Sequence, residues 1–72
     1  MPIQEQQLDS SNLKSAKYDD ETKILEITFL NGSTYRYERV PFKLFNGLTN
    51  ADSPGGYFSR QIRNSFGFER IS

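Results

Sequence analysis

The chain has 72 residues, nine basic and nine acidic side chains, and neither Cys nor His. That composition excludes a disulfide framework and a Cys/His zinc site as staples, and it removes the usual thiol nucleophile and imidazole base. Zero net charge and a pI near 6.2 argue against a generic basic nucleic-acid binder. A single small domain is expected, and a chain this short buries only about 60% of its unfolded surface. Four Tyr and six Phe are the available compensation, because aromatic side chains bury the most area each.

Residues 1 to 9 are Gln-rich and lack periodicity, so they read as a flexible tail before a single domain over residues 10 to 72. They carry neither a basic start nor an apolar run, so no secretory signal is expected. No stretch approaches the roughly 20 apolar residues of a membrane span. A cytoplasmic protein is predicted. A first strand should run from about Ser11 to Tyr18. Leu13 has one parity there and Ala16 and Tyr18 the other, which calls for a bulge or a twisted edge. Asp19-Asp20-Glu21-Thr22 is a turn, with Asp19 placed to bond back to the backbone. Its three carboxylates lack calcium-loop spacing, so no metal site is predicted.

The centre of the chain is Leu25-Glu26-Ile27-Thr28-Phe29, then Leu30-Asn31-Gly32, then Ser33-Thr34-Tyr35-Arg36-Tyr37. Alternating apolar residues on both sides of Asn-Gly predict a β-hairpin. A two-residue loop would set Ile27 opposite Arg36 and turn both tyrosines away from the apolar face. A three-residue loop with Gly32 in the left-handed position restores the match. Ile27 then faces Tyr35, Leu25 faces Tyr37, and Arg36 meets Glu26 as a cross-strand ion pair.

Val40-Pro41 marks an extended residue before a helix. From Pro41 to Ala51, Leu44, Phe45, Leu48 and Ala51 fall at helical spacing, although Gly47 costs a helix about 1 kcal/mol. Ser53 as N-cap and Pro54 at the first position launch a second helix. It carries Phe58, Ile62 and Phe66 on one side, puts Arg60, Arg63 and Asn64 on the other, and ends at Gly67. Phe68-Glu69-Arg70-Ile71 alternates as a short last strand. The predicted fold is α+β: a three-stranded antiparallel meander, with a short fourth C-terminal strand, packed on two short helices.

These features form an ordered series. Ser10-Ser11 and Tyr18-Asp19 come first, then Leu25-x-Ile27-x-Phe29, Tyr35-Arg36-Tyr37 after Gly32, and Val40-Pro41. Leu48-x-x-Ala51-x-Ser53, Gly55-x-Tyr57-Phe58 and Ile62-Arg63 complete it. The series resembles the KTSC domain, named after the C-terminus of some bacterial lysyl-tRNA synthetases and also found as small stand-alone bacterial and phage proteins. The resemblance spans about residues 8 to 68, and the Tyr-x-Tyr centre is its hallmark. It implies a domain without established activity, for which RNA binding has been suggested through attachment to a synthetase.

Serines and carboxylates remain for catalysis, but none has a spacing that sets a base beside a nucleophile, so no enzyme and no cofactor are expected. Charge is unevenly spread. Residues 1 to 35 hold three lysines against six carboxylates, and residues 36 to 72 hold six basic side chains against three acidic ones. A surface polarised in this way steers acidic partners. The first functional reading is therefore RNA binding through a basic helix face, with Arg60, Arg63, Asn64, Lys43 and Tyr57 as candidates. The register points Tyr35 and Tyr37 at the core, with Arg36 paired across the sheet. The alternative is a protein-interaction module, with Tyr57 or Phe42 as an exposed anchor. Monomer and homodimer fit this sequence equally.

Overall fold

The structure, a computed structural model, describes residues 3 to 72. Five strands form one antiparallel sheet in chain order: β1 (Ile3–Gln7), β2 (Leu13–Asp19), β3 (Ile24–Phe29), β4 (Thr34–Tyr37) and β5 (Phe68–Arg70). Two helices, α1 (Phe42–Asn50) and α2 (Pro54–Gln61), stand between β4 and β5 and cover one face. The α+β class is as expected, with five strands in place of three or four.

The additional strand is β1, in the segment expected as a tail. It pairs with β2 from Ile3↔Asp19 to Gln7↔Ser15, and all five of its side chains are exposed. Backbone pairing alone holds it, so no apolar alternation advertises it. Met1 and Pro2, also read as tail, lie outside the described residues.

The hairpin has the expected register: Leu25↔Tyr37, Glu26↔Arg36 and Ile27↔Tyr35. Phe29 N–H donates to Ser33 O (2.8 Å) and Gly32 N–H to Phe29 O (2.9 Å), closing the three-residue loop with Gly32 at φ 95°. The β2 parity change is a register shift between Leu13 and Ser15, which lets both Leu13 and Ala16 face the core. Arg36 does stand opposite Glu26, but its ion pair forms elsewhere. Its guanidinium donates to Glu69 Oε1 at 2.7 Å and lies 3.5 Å from Glu38, because β5 brings Glu69 directly across from Arg36.

α1 lies over β2, where the Phe45 ring stacks on Tyr18 (5.1 Å, 14°). Pro41 is its N-cap, so the helix begins one residue later than expected. Gly47 has a packing reason: a Cβ there would meet Tyr57 Cζ at 2.6 Å, so the Tyr57 ring sits directly on the α1 backbone. Ser53 caps α2 as expected, its Oγ accepting Gly56 N–H (3.3 Å), with Pro54 in the first turn. The helix stops at Gln61, well short of Gly67. The N–H groups of both Ile62 and Arg63 donate to Phe58 O, and Ser65 N–H donates to Ile62 O. Asn64 and Ser65 are weak helix formers, and the turn over Arg63-Asn64-Ser65 delivers the chain to β5. Phe58 and Ile62 are buried in the core, and Phe66 packs against it from that turn.

Candidate nucleic-acid interface

Alternation along β4 places Tyr35 and Tyr37 on the helix-bearing face, and pairing with β5 adds Phe68 beside Tyr37. These rings and Phe29 and Phe58 form one aromatic cluster. Tyr37 meets Phe58 edge-on (5.4 Å, 82°), Tyr35 meets Phe29 edge-on (5.6 Å, 81°), and Phe68 leans on both tyrosines (5.9 and 5.6 Å). α2 does not extend far enough to cover the cluster. What remains is an open groove of about 520 Å³ between α2 and the β4–β5 half of the sheet, with Arg63 and Asn64 on its rim. Its size is that of a small-ligand site.

The ring of Tyr37 is only 3% exposed, whereas Phe68 is 59% exposed and forms an open aromatic wall. Burial pushes the Tyr37 phenol above its ordinary value, against a lowering by the Arg63 guanidinium. Among the described residues neither the Tyr35 nor the Tyr37 hydroxyl has a hydrogen-bond partner, although both residues line the groove. An aromatic wall, free hydroxyls and a cation on one rim can stack a planar ring and hold an anion beside it.

A family model for the KTSC domain matches residues 9–66 of this chain. The chain belongs to the KTSC domain family. An uncharacterized protein of Stutzerimonas stutzeri (strain A1501) is 47% identical over 56 residues, covering 78% of this chain and 79% of that protein. A Lysine--tRNA ligase of Nostoc punctiforme is 38% identical over 64 residues, which is 89% of this chain but only 11% of the ligase. The crystal structure of a KTSC domain protein from Yersinia pestis superposes with a TM-score of 0.89 at 33% identity, covering 99% of this chain and 100% of that one.

Within this KTSC domain, the Tyr-x-Tyr pair serves core and groove together, as the buried side of Tyr37 and the half-buried Tyr35 show. The basic face expected along α2 is divided. Arg63 and Asn64 lie past the helix end, on the groove. Arg60 folds back over the first turn, where a Cβ on Gly56 would meet its guanidinium at 3.1 Å. Tyr57 is half-buried against Gly47, which removes it as an exposed anchor. Lys43 is exposed on α1 and does not line the groove, while Arg36 stands on the opposite face of the sheet. Residues that the sequence did not mark as site residues join the groove: Phe58 and Phe68, and the turn residues Asn12 and Asn31. Phe68 had a signal, as an aromatic on the same parity as the core in the last strand. The two asparagines had only turn chemistry.

The α2 N-terminus borders a second, polar depression shared with Asp9 and Asp52, a poor setting for an anion. Among the described residues no group of His, Cys, Asp or Glu is gathered to hold a metal ion, and no helix is long and apolar enough to cross a membrane.

Proposed function

We propose that this KTSC domain is a binding module for single-stranded RNA, which it takes in the aromatic groove without catalysis or cofactor. The observation that carries the reading is the groove itself: Phe68 exposed, the hydroxyls of Tyr35 and Tyr37 unpartnered, and Arg63 on the same rim. Unstacked bases are held by aromatic faces and hydrogen-bonding side chains, and phosphates by cations beside them. The likeness to a segment of a Lysine--tRNA ligase points the same way by association only.

Fluorescence anisotropy with a mixed-sequence single-stranded RNA, at low and near-physiological salt, tests this. Arg63→Ala should weaken binding and flatten the salt slope by about 0.7, the value of one single-strand phosphate contact. Arg60→Ala, away from the groove, should change binding less. No binding at low salt would overturn the proposal.

A protein partner is the second reading. Its support is the pair of outer edges, β1 and β5, which have no further strand beyond them among the described residues, so that a peptide strand can add to either. Capture that depends on Phe68 or Phe42 but is insensitive to salt would favour it.

A further inference from the structure

The sheet sorts charges by face. Glu5, Lys17, Glu26, Arg36 and Glu69 pair in register across all five strands, one row of alternating sign on the face away from the helices. Asp9 and Asp52 border the depression at the α2 N-terminus, and none of the nine carboxylates lines the groove. On the groove side of the sheet the register adds a cation beyond the lining itself. Arg70 pairs with Tyr35 as Phe68 pairs with Tyr37. The bonds from Glu38 N–H to Gly67 O and from Ile71 N–H to Thr34 O fall at the alternate positions. Both ring-bearing pairs are therefore of the non-hydrogen-bonded kind, in which facing side chains approach most closely. Arg70 stands beside Tyr35 at one end of the aromatic wall. Arg63 stands at the other, on the turn that enters β5 at Gly67 opposite Glu38, and shares the groove with Tyr37. Both arginines are exposed, and among the described residues neither pairs with an Asp or a Glu. Arg70 Nε donates to Ser72 O at 3.0 Å, which leaves its two NH₂ groups.

We infer that Arg70 is a second phosphate-binding group of this site, so that a single strand runs along β5 with phosphates on Arg63 and Arg70 and an unstacked base on the exposed Phe68 between them. Phe68 and Arg70 are two residues apart on one face of β5, a separation of about 7 Å. A ring that takes a base and a guanidinium that takes the adjoining backbone are the two parts of a single-strand platform. The charge pattern favours this course. Along the far face the alternating row offsets itself, whereas the groove side presents cations without carboxylates in the lining, so a polyanion is drawn to the groove. The inference rests on the RNA reading above and adds the course of the strand and its second contact.

The salt dependence of binding to the mixed-sequence single-stranded RNA counts the contacts. Arg70→Ala should weaken binding at low salt and flatten the slope of log affinity against log salt by about 0.7, as Arg63→Ala does, and the double variant by about 1.4. Arg70→Lys keeps the charge and should keep the slope. Lys17→Ala, on the far face, changes the net charge by the same amount and should leave the slope as it is. An unchanged slope in Arg70→Ala, with binding intact, would overturn the second contact and leave RNA binding standing. Equal flattening in Lys17→Ala would reduce the effect to net charge and overturn the contact as well. So would a slope lost in Arg70→Lys, since Arg70 would then act by holding β5. Absence of binding by the native chain at low salt would overturn both readings.

Discussion

Tyr18 and Tyr37 flank Leu25 on the helix-bearing face of the sheet, one on each neighbouring strand, and end in different chemical states. Tyr18 on β2 is fully buried, stacked on Phe45 of α1, and its hydroxyl donates to Val40 O at 2.6 Å. Tyr37 on β4 is nearly as buried and meets Phe58 of α2 edge-on, but its hydroxyl has no partner among the described residues. The difference comes from the chain around each ring. Between β4 and α1, Arg39 takes a left-handed conformation (φ 62°) and Val40 N–H donates to Lys23 O, which leaves the Val40 carbonyl aimed at Tyr18. Beside Tyr37, α2 stops early and the following turn brings a guanidinium instead of a carbonyl. One tyrosine hydroxyl is closed by the fold, and the other keeps no partner among the described residues.

The largest expected effect breaks the two sides alike. Tyr37→Ala removes a core ring that carries Phe58 and Phe68, and by analogy with other large-to-small core changes it should cost about 3 kcal/mol or more. Chemical denaturation would measure it. A midpoint unchanged by the substitution would show that Tyr37 belongs to the site alone. Removing only the hydroxyls separates the sides. Tyr18→Phe leaves the buried Val40 carbonyl without its donor and should cost about 1–2 kcal/mol. Tyr37→Phe should lie within about 0.5 kcal/mol of the native chain, yet weaken RNA binding. The opposite order in the two melts would show that the hydroxyls' roles are exchanged.

The contact that joins the two helices gives a subtler comparison. In Gly47→Ala the gain in helix propensity, about 1 kcal/mol, is offset by displacement of the Tyr57 ring. In a Tyr57→Ala background nothing opposes the gain. A double-mutant cycle should therefore show a coupling of about 1 kcal/mol between these positions. Independent effects would show that Tyr57 does not rest on the α1 backbone in solution.

These contrasts also mark how far the sequence could be read. Parity alone determined the hairpin: with Ile27 and Tyr35 on one face, only an odd loop around Asn31-Gly32 is possible, and that register is the one observed. The same argument located the irregularity between Leu13 and Ala16, and local capping chemistry placed Ser53. Other features depend on contacts that no local pattern carries. β1 is held by backbone pairing under five exposed side chains. Phe66 keeps helical spacing with Ile62, but the helix is closed earlier, on Phe58 O. The candidate site lay beyond a local reading for the same reason. Arg63 shares the groove with Tyr37 only because α2 ends where it does, and Asn31 lines it while serving a turn.

Alkaline pH offers the finest comparison of the two tyrosines. Burial raises both phenols above their ordinary 10.0; in Tyr37 the main opposing influence is Arg63, in Tyr18 it is Lys23. An acid whose folded value is raised keeps its proton while the unfolded chain loses one. Above about pH 10 the unfolded state therefore binds fewer protons, and stability falls as pH rises; below that pH the two groups contribute no slope. The melting temperature should decline past pH 10, and Tyr18→Phe and Tyr37→Phe should each remove part of the decline. Arg63→Ala sharpens the contrast. Without the guanidinium the folded Tyr37 phenol rises further, so the alkaline loss should steepen in the native background and be unaffected by Arg63 once Tyr37 is Phe. An Arg63→Ala effect of equal size in both backgrounds would place the guanidinium away from Tyr37, and the cation would no longer belong to the groove.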